Sequence, residues 1–204
     1  MSETQWPANG VETFTGRVVD VGKPNPQDID LGDIAHALSN IARYGGHAKF
    51  HYSVAQHAVF CSQRLERRRR PVIEQLAALH HDDAEAYLGD IPRPMKPLLG
   101  GTYKKMTAVM DVAIVEALNL PFKHDAFDWP VVKEADNWAL LVEARHLLPS
   151  QGRGWTISAK AEWDLEEQGR IVTPDYWRDR MLPEDVEVMY LDRHNMLIDR
   201  LENS

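Results

Sequence analysis

The stretch SVAQHAVFCSQRLERRRRPVIEQLAALHHDDAEAYL, residues 53–88, decides the fold. Ser53 is a helix N-cap residue, and Val54, Ala58, Cys61 and Leu65 follow at intervals of four, three and four, which puts one apolar stripe on a helix. The run continues into Arg67 to Arg70. Pro71 then opens a second helix at a favoured first-turn position. That helix is predicted from Pro71 to Leu88, with Ile73, Leu76, Ala77, Ala84 and Tyr87 as its stripe.

Outward from this pair the pattern stays helical. Upstream, Ile34, Leu38 and Ile41 predict a helix over Asp33 to Ala42, ended by Gly45 and Gly46. Residues 1–30 read as an irregular lead-in whose clearest β-like piece is Thr13 to Val19. Downstream, Pro92, Pro94 and Pro97 stiffen a loop over Gly89 to Pro97. Helical spacing returns over Tyr103 to Leu118, Trp129 to Leu148, Ser158 to Gly169, and Pro174 to about Leu201 with an interruption near Pro183. There is no repeat, and no alternation long enough for a sheet. The expectation is an all-α fold, with residues 31–204 as a single helical domain.

Composition narrows the function. The chain has 204 residues, 44% hydrophobic and 26% charged, enough to bury a core without staples. No run approaches the roughly 18 to 20 apolar residues of a membrane span. MSETQWPANG lacks the basic start and apolar run of a secretory signal, so a cytoplasmic location is expected. The one cysteine, Cys61, lies on the apolar stripe and reads as a small core residue, not a nucleophile. A formal net charge of -8 argues against long nucleic acid as the main partner. A small anion can still be held by a few positioned cations. Arg67 to Arg70 read as a solvated helix end that complements the helix dipole, with a nucleic-acid patch as the weaker alternative. The six tryptophans form no stacking motif and read as core or dimer contacts, with Trp138 packing near Asp136.

Among nine histidines, His57 shares the inward stripe of its helix. A lone histidine there is ordinarily a hydrogen-bonded core residue, and the dipeptide His81–Asp82 is weak by itself. Asp136, among Val132, Ala135 and Ala139, is harder to dismiss, because a carboxylate aimed into a helical core demands a cation or several donors. Together, two imidazoles and two carboxylates from three helices form a nitrogen and oxygen set suited to a divalent metal such as Mn, Co, Ni, Fe or Zn. Glu85 follows His81 by four residues and shares its face, within reach of a bound water or a leaving oxygen. Its plain alternative is a solvated helix carboxylate. Arg43, before Tyr44–Gly45–Gly46, offers a bidentate guanidinium for a phosphate, although a surface arginine is the default. Asp90, Arg93 and Lys96 sit on the stiffened loop, where the two cations are otherwise ordinary solvated side chains.

In this order, Arg43, YSVAQH at 52–57, His81–Asp82 with Glu85 and Gly89–Asp90, and Glu134–Ala135–Asp136, the residues resemble the HD-domain phosphohydrolases, and within them the 5'-deoxynucleotidase branch. The resemblance spans roughly residues 30–145. It implies an HD-type helical bundle and one divalent ion (Co, Mn, Zn, Ni, Fe or Mg) held by His57, His81, Asp82 and Asp136. It implies Arg43 on the phosphate, Glu85 in proton transfer or water positioning, and Asp90 near the sugar. Tyr44 would crowd the ribose 2' position and favour deoxynucleotides, and the expected substrate is a small (deoxy)nucleoside monophosphate. Related proteins often form homodimers, for which the residues here give no pairing surface. His51 departs from the aromatic residue often carried at its position, and His80 and Asp83 are extra potential ligands for a second metal. Three alternatives stay open: a deoxynucleoside triphosphate triphosphohydrolase using Lys96, Lys104 and Lys105, a two-iron oxygenase recruiting His80 or His47, and a metal-stabilised binding protein without turnover.

Overall fold

The structure, a computed structural model, describes residues 6–157 and 180–203. Its described helices are α1 (Leu31–Asn40), α2 (Val54–Arg67), α3 (Val72–His80), α4 (Glu85–Leu88), α5 (Gly101–Ala117), α6 (Pro130–Leu147) and α7 (Pro183–Glu202). The fold is all-α. The segment Ser158 to Gly169 and the start of the last predicted helix lie outside the described residues, and α7 begins at Pro183, which occupies its first turn.

α2 is the central element. Ser53 Oγ accepts from the Gln56 amide at 3.2 Å while Gln56 Oε1 accepts from the Ser53 amide at 2.9 Å, a reciprocal cap that fixes where the helix starts. Eleven of its fourteen residues are buried, as expected of a helix enclosed on most sides. Val54, Ala55, Ala58 and Val59 join a core built with α1, α3, α5 and α7. Phe60, Cys61 and Leu65 join a second core built with α3 and α6. His57 falls between the two sets. Beyond Arg67 the arginines are exposed, in keeping with a solvated helix end, and Arg70 pairs with Glu74 at 2.6 Å. Trp138 packs on Phe60, with ring centroids 4.9 Å apart, and under the Arg64 guanidinium.

Two expectations are corrected. Pro71 to Leu88 is not one helix: α3 stops at His80, and a tight turn over residues 81–84 precedes α4. The cause is local. His81 Nδ1 donates to the Ala78 carbonyl at 2.8 Å, the acceptor that a continuing helix would give to the Asp82 amide. The Asp83 and Glu85 amides bond instead to His80 and Asp82, three residues back. There is also a small sheet: β1 (Gly10–Glu12) pairs antiparallel with β2 (Val18–Asp20). Most of the expected strand Thr13 to Val19 is the turn between them, and its Thr13 and Thr15 hydroxyls both donate to Asp33 at 2.8 Å. The lead-in is thereby tied to α1, with Val19 and Ile29 in the first core.

α7 lays Val186, Tyr190, Arg193, His194 and Leu197 against the other helices. Arg193 anchors it, donating to Ser62 Oγ at 3.0 Å, Gln75 Oε1 at 3.0 Å and Glu66 at 2.7 Å.

Candidate metal centre

Three elements converge on one point: α2 supplies His57, the turn after α3 supplies His81 and Asp82, and α6 supplies Asp136. His57 Nε2 lies 3.3 Å from Asp136 Oδ1 and 3.7 Å from Asp82 Oδ2, and His81 Nε2 lies 3.3 Å from Asp82 Oδ2. The four side chains are thus brought together.

The hydrogen bonds fix which ring atoms face inward. His57 Nδ1 bonds to Glu143 at 2.6 Å, which turns its Nε2 toward the two aspartates. His81 Nδ1 is spent on Ala78, and its Nε2 is buried with no hydrogen-bond partner. Burial holds His81 below the ordinary histidine range. A buried nitrogen lone pair facing a carboxylate is unfavourable unless a cation lies between them. The residues therefore fit a divalent ion. At Asp82, burial pushes the pKa up, but His81, His57 and Arg43 outweigh it and hold the carboxyl below its usual range. Asp136 is held lower still, burial being overcome by its hydrogen bond and charge contacts with His57 and by the charges of His81 and Arg43. At His57, burial and Arg43 oppose the charged ring, and Cys61, Glu143 and Asp136 outweigh them, so its pKa lies above the ordinary value. Proton and metal compete for the same nitrogen.

His57, Cys61 and His81 form a buried group whose donor atoms all lie within 4.8 Å of one another and which can hold a metal ion. Cys61 differs from the aspartates in direction. Its sulfur is 3.5 Å from His57 Nε2 and 3.8 Å from Nδ1, nearly equidistant from both nitrogens, and so off the Nε2 lone-pair axis. Burial pushes its thiol up to about 11.

Arg43 is buried and reaches the cluster from the turn after α1, its Nη1 3.7 Å from Asp82. The turn is held by the Arg43 amide on the Tyr52 carbonyl at 2.9 Å and the Val54 amide on Ile41 at 3.1 Å. Tyr44 adopts φ 59°, ψ 25°, a left-handed conformation costly for a side chain with a Cβ. Its hydroxyl donates to Glu143 at 2.7 Å, which over-determines that conformation.

Glu85 is buried, its Oε1 3.4 Å from Lys96 Nζ and its Oε2 without a hydrogen-bond partner. Burial, then the charges of Asp82 and Asp90, push its carboxyl up to about 9 against Lys96 and Arg43. Asp90 is half-buried and also shifted up, chiefly by burial, with Arg43 and Lys96 pulling down. Arg93 is exposed and bridges Asp136 at 3.0 Å and Asn137 at 2.8 Å. Lys104 and Lys105 point to solvent and His47 is exposed. His80 and Asp83 do not join the cluster: their side chains are bonded to each other and to α7.

Sequence reasoning missed Glu143. This fully buried carboxylate accepts from His57 Nδ1, Arg43 Nε at 3.2 Å, Tyr44 and the Tyr52 hydroxyl at 3.1 Å. Its signal was present, because it stands two helical turns after Asp136, among Ala139, Leu140, Val142 and Ala144.

Fold and site together define an all-α protein with a buried histidine group able to hold a metal, and no described helix is long and apolar enough to cross a membrane. No family model matches the chain. It belongs to the family of the uncharacterized protein YfdR of Escherichia coli, to which it is 42% identical over 147 residues, 72% of this chain and 77% of that one. An uncharacterized protein of Rhodobacter capsulatus is 33% identical over 138 residues, 66% of this chain and 70% of its own.

Proposed function

We propose that this chain is an HD-type, metal-dependent phosphohydrolase that removes the 5'-phosphate of small deoxynucleoside monophosphates. The observation that carries the reading is the buried, unpartnered Nε2 of His81 facing Asp82, beside the inward Nε2 of His57 and the Asp136 carboxylate. His57, His81, Asp82 and Asp136 would hold the ion. Bound there, a divalent cation supplies Lewis-acid activation of water and neutralises charge on the phosphate.

The protein's own residues do the rest. Glu143 occupies the Nε of Arg43, which leaves the two terminal nitrogens to grip phosphate oxygens bidentately. Glu143 thereby sets the guanidinium plane as well as the His57 ring. Glu85, at about 9, keeps its proton at neutral pH and can donate it to the departing 5' oxygen. Arg93 and Lys96 add positive charge at the rim, where a longer phosphate chain would extend. Tyr44, pinned by Glu143, stands beside Arg43 to restrict the sugar.

A phosphate-release screen tests this, with dAMP, AMP and deoxynucleoside triphosphates and with Mn, Co, Mg and Zn supplied in turn. The expected result is phosphate from dAMP, at least about tenfold faster than from AMP, a difference of about 1.4 kcal/mol in the barrier. Release of intact triphosphate would move the assignment to the triphosphohydrolase reading, and no release from any nucleotide would remove the enzymatic one.

Glu85→Gln gives a pH-resolved prediction. The folded carboxyl holds its proton up to about 9 while the unfolded one loses it near 4.5, so its burial costs stability increasingly as pH rises between those values. The Gln variant is expected to lose at least about a hundredfold in turnover while gaining roughly 1 to 3 kcal/mol of stability at pH 8. The wild-type rate should fall above pH 9. Thermal melts and a pH–rate profile check both; a variant of unchanged rate refutes the donor role.

A further inference from the structure

On the far side of the turn that carries His81 and Asp82 lies a second polar cluster, closed to solvent. His80 and Asp83 flank the two ligands in sequence and face the opposite way. His80 Nδ1 donates to Asp83 Oδ2 at 2.6 Å, and His80 Nε2 accepts from His194 Nδ1 at 2.9 Å. The Tyr190 hydroxyl donates to the other Asp83 oxygen. His80, Asp83 and Tyr190 are fully buried, and His194 nearly so. Tyr190 and His194 are one turn apart on α7.

Burying four polar groups is costly where apolar ones would pack as well, and what directional bonds add is a single geometry. We propose that His80, Asp83, Tyr190 and His194 are positioning residues that lock the His81–Asp82 turn onto α7 and so hold those two ligands at the metal centre. The proposal rests on the metal-centre reading above. Two observations set it apart from ordinary helix docking. The turn is held by three-residue bonds in place of helical ones, and its outward side chains, His80 and Asp83, are bonded to α7. And α7 has a second anchor, Arg193 on Ser62, Glu66 and Gln75, which touches α2 and α3 but not the turn.

The two anchors separate positioning from stability. Tyr190→Phe removes one hydroxyl from the turn's anchor, and Arg193→Lys weakens the other. Manganese affinity of the purified proteins is measured by calorimetry well below their melting temperatures. Tyr190→Phe is expected to bind manganese about tenfold more weakly than wild type. Arg193→Lys, at a comparable loss of melting temperature, should stay within about twofold of wild type. His194→Gln, which leaves the Asp83–Tyr190 bond in place, is expected to show a smaller loss of about threefold and carries the test if Tyr190→Phe does not fold. Wild-type affinity in the turn variants, or an equal loss in Arg193→Lys, overturns the positioning role while leaving the metal centre standing. A wild-type protein that takes up no manganese, cobalt or zinc overturns the metal-centre reading itself.

Discussion

Asp82→Ala is expected to strip the protein of bound metal and to cut phosphate release by at least about three orders of magnitude, as removal of a ligand to an activating cation does. The same loss is expected for His81→Ala and Asp136→Ala. Asp82 is the most informative of the three because it faces both imidazoles, at 3.3 and 3.7 Å, as well as Arg43. Its loss should not unfold the chain: its side chain is 19% exposed, and Arg43 keeps its closer partner, Glu143. Cys61→Ala is the matching control. It should cost about 1 kcal/mol in packing and leave metal content unchanged, because the sulfur lies off the His57 Nε2 axis. Elemental analysis of the purified variants decides between the donor sets. Metal retained in Asp82→Ala and lost in Cys61→Ala would hand the site to the histidine–thiol group.

Glu143→Gln is expected to weaken metal binding by about 10- to 100-fold, the usual consequence of removing the carboxylate that orients a ligating histidine. The variant acts on two seats at once. One of its oxygens accepts from His57 and Tyr52, the other from Arg43 and Tyr44. An amide has one acceptor oxygen and turns N–H donors toward groups that are themselves donors. Substrate KM should therefore rise together with the metal dissociation constant. Glu143 also sets the acid limit of the fold. Burial raises its pKa, but Arg43 and His57 outweigh that and bring it to about 2, against 4.5 in the unfolded chain. A depressed carboxylate contributes stability that is complete above the unfolded value and lost as pH falls from about 4.5 toward 2. That shift corresponds to about 3 kcal/mol. Denaturant unfolding of wild type and Glu143→Gln at pH 7 and pH 3 should differ accordingly, with the gap between them narrowing in acid; equal stability at pH 7 would remove Glu143 from its central place.

The sequence made some of this legible for definite physical reasons. α2 was readable because its cap, its stripe and the proline after it are local signals that no tertiary contact contradicts. Asp136 was readable because a carboxylate among alanines and valines has to be explained. Glu143 carried the same signature and was passed over, since its partners Arg43, Tyr44 and Tyr52 come from a distant turn whose path no periodicity gives. The break after His80 was invisible for a related reason: apolar spacing continues through Ala84 and Tyr87, while the cause is one imidazole taking one carbonyl. The β1–β2 pair was missed because strands of three residues have no room to alternate. Tyr44's left-handed backbone cannot be read from a tyrosine, although the two glycines after it announce a turn.

The anchoring of the ligand turn on α7 carries a consequence for biosynthesis. His80 and His194 are 114 residues apart in the chain. A ribosome adding ~5–20 residues per second needs roughly 6 to 23 s to translate that interval. Throughout it the nascent chain already carries His57 and His81 without the helix that is to fasten the turn. On the proposed role of α7, metal affinity is expected to be completed late in the maturation of each new molecule.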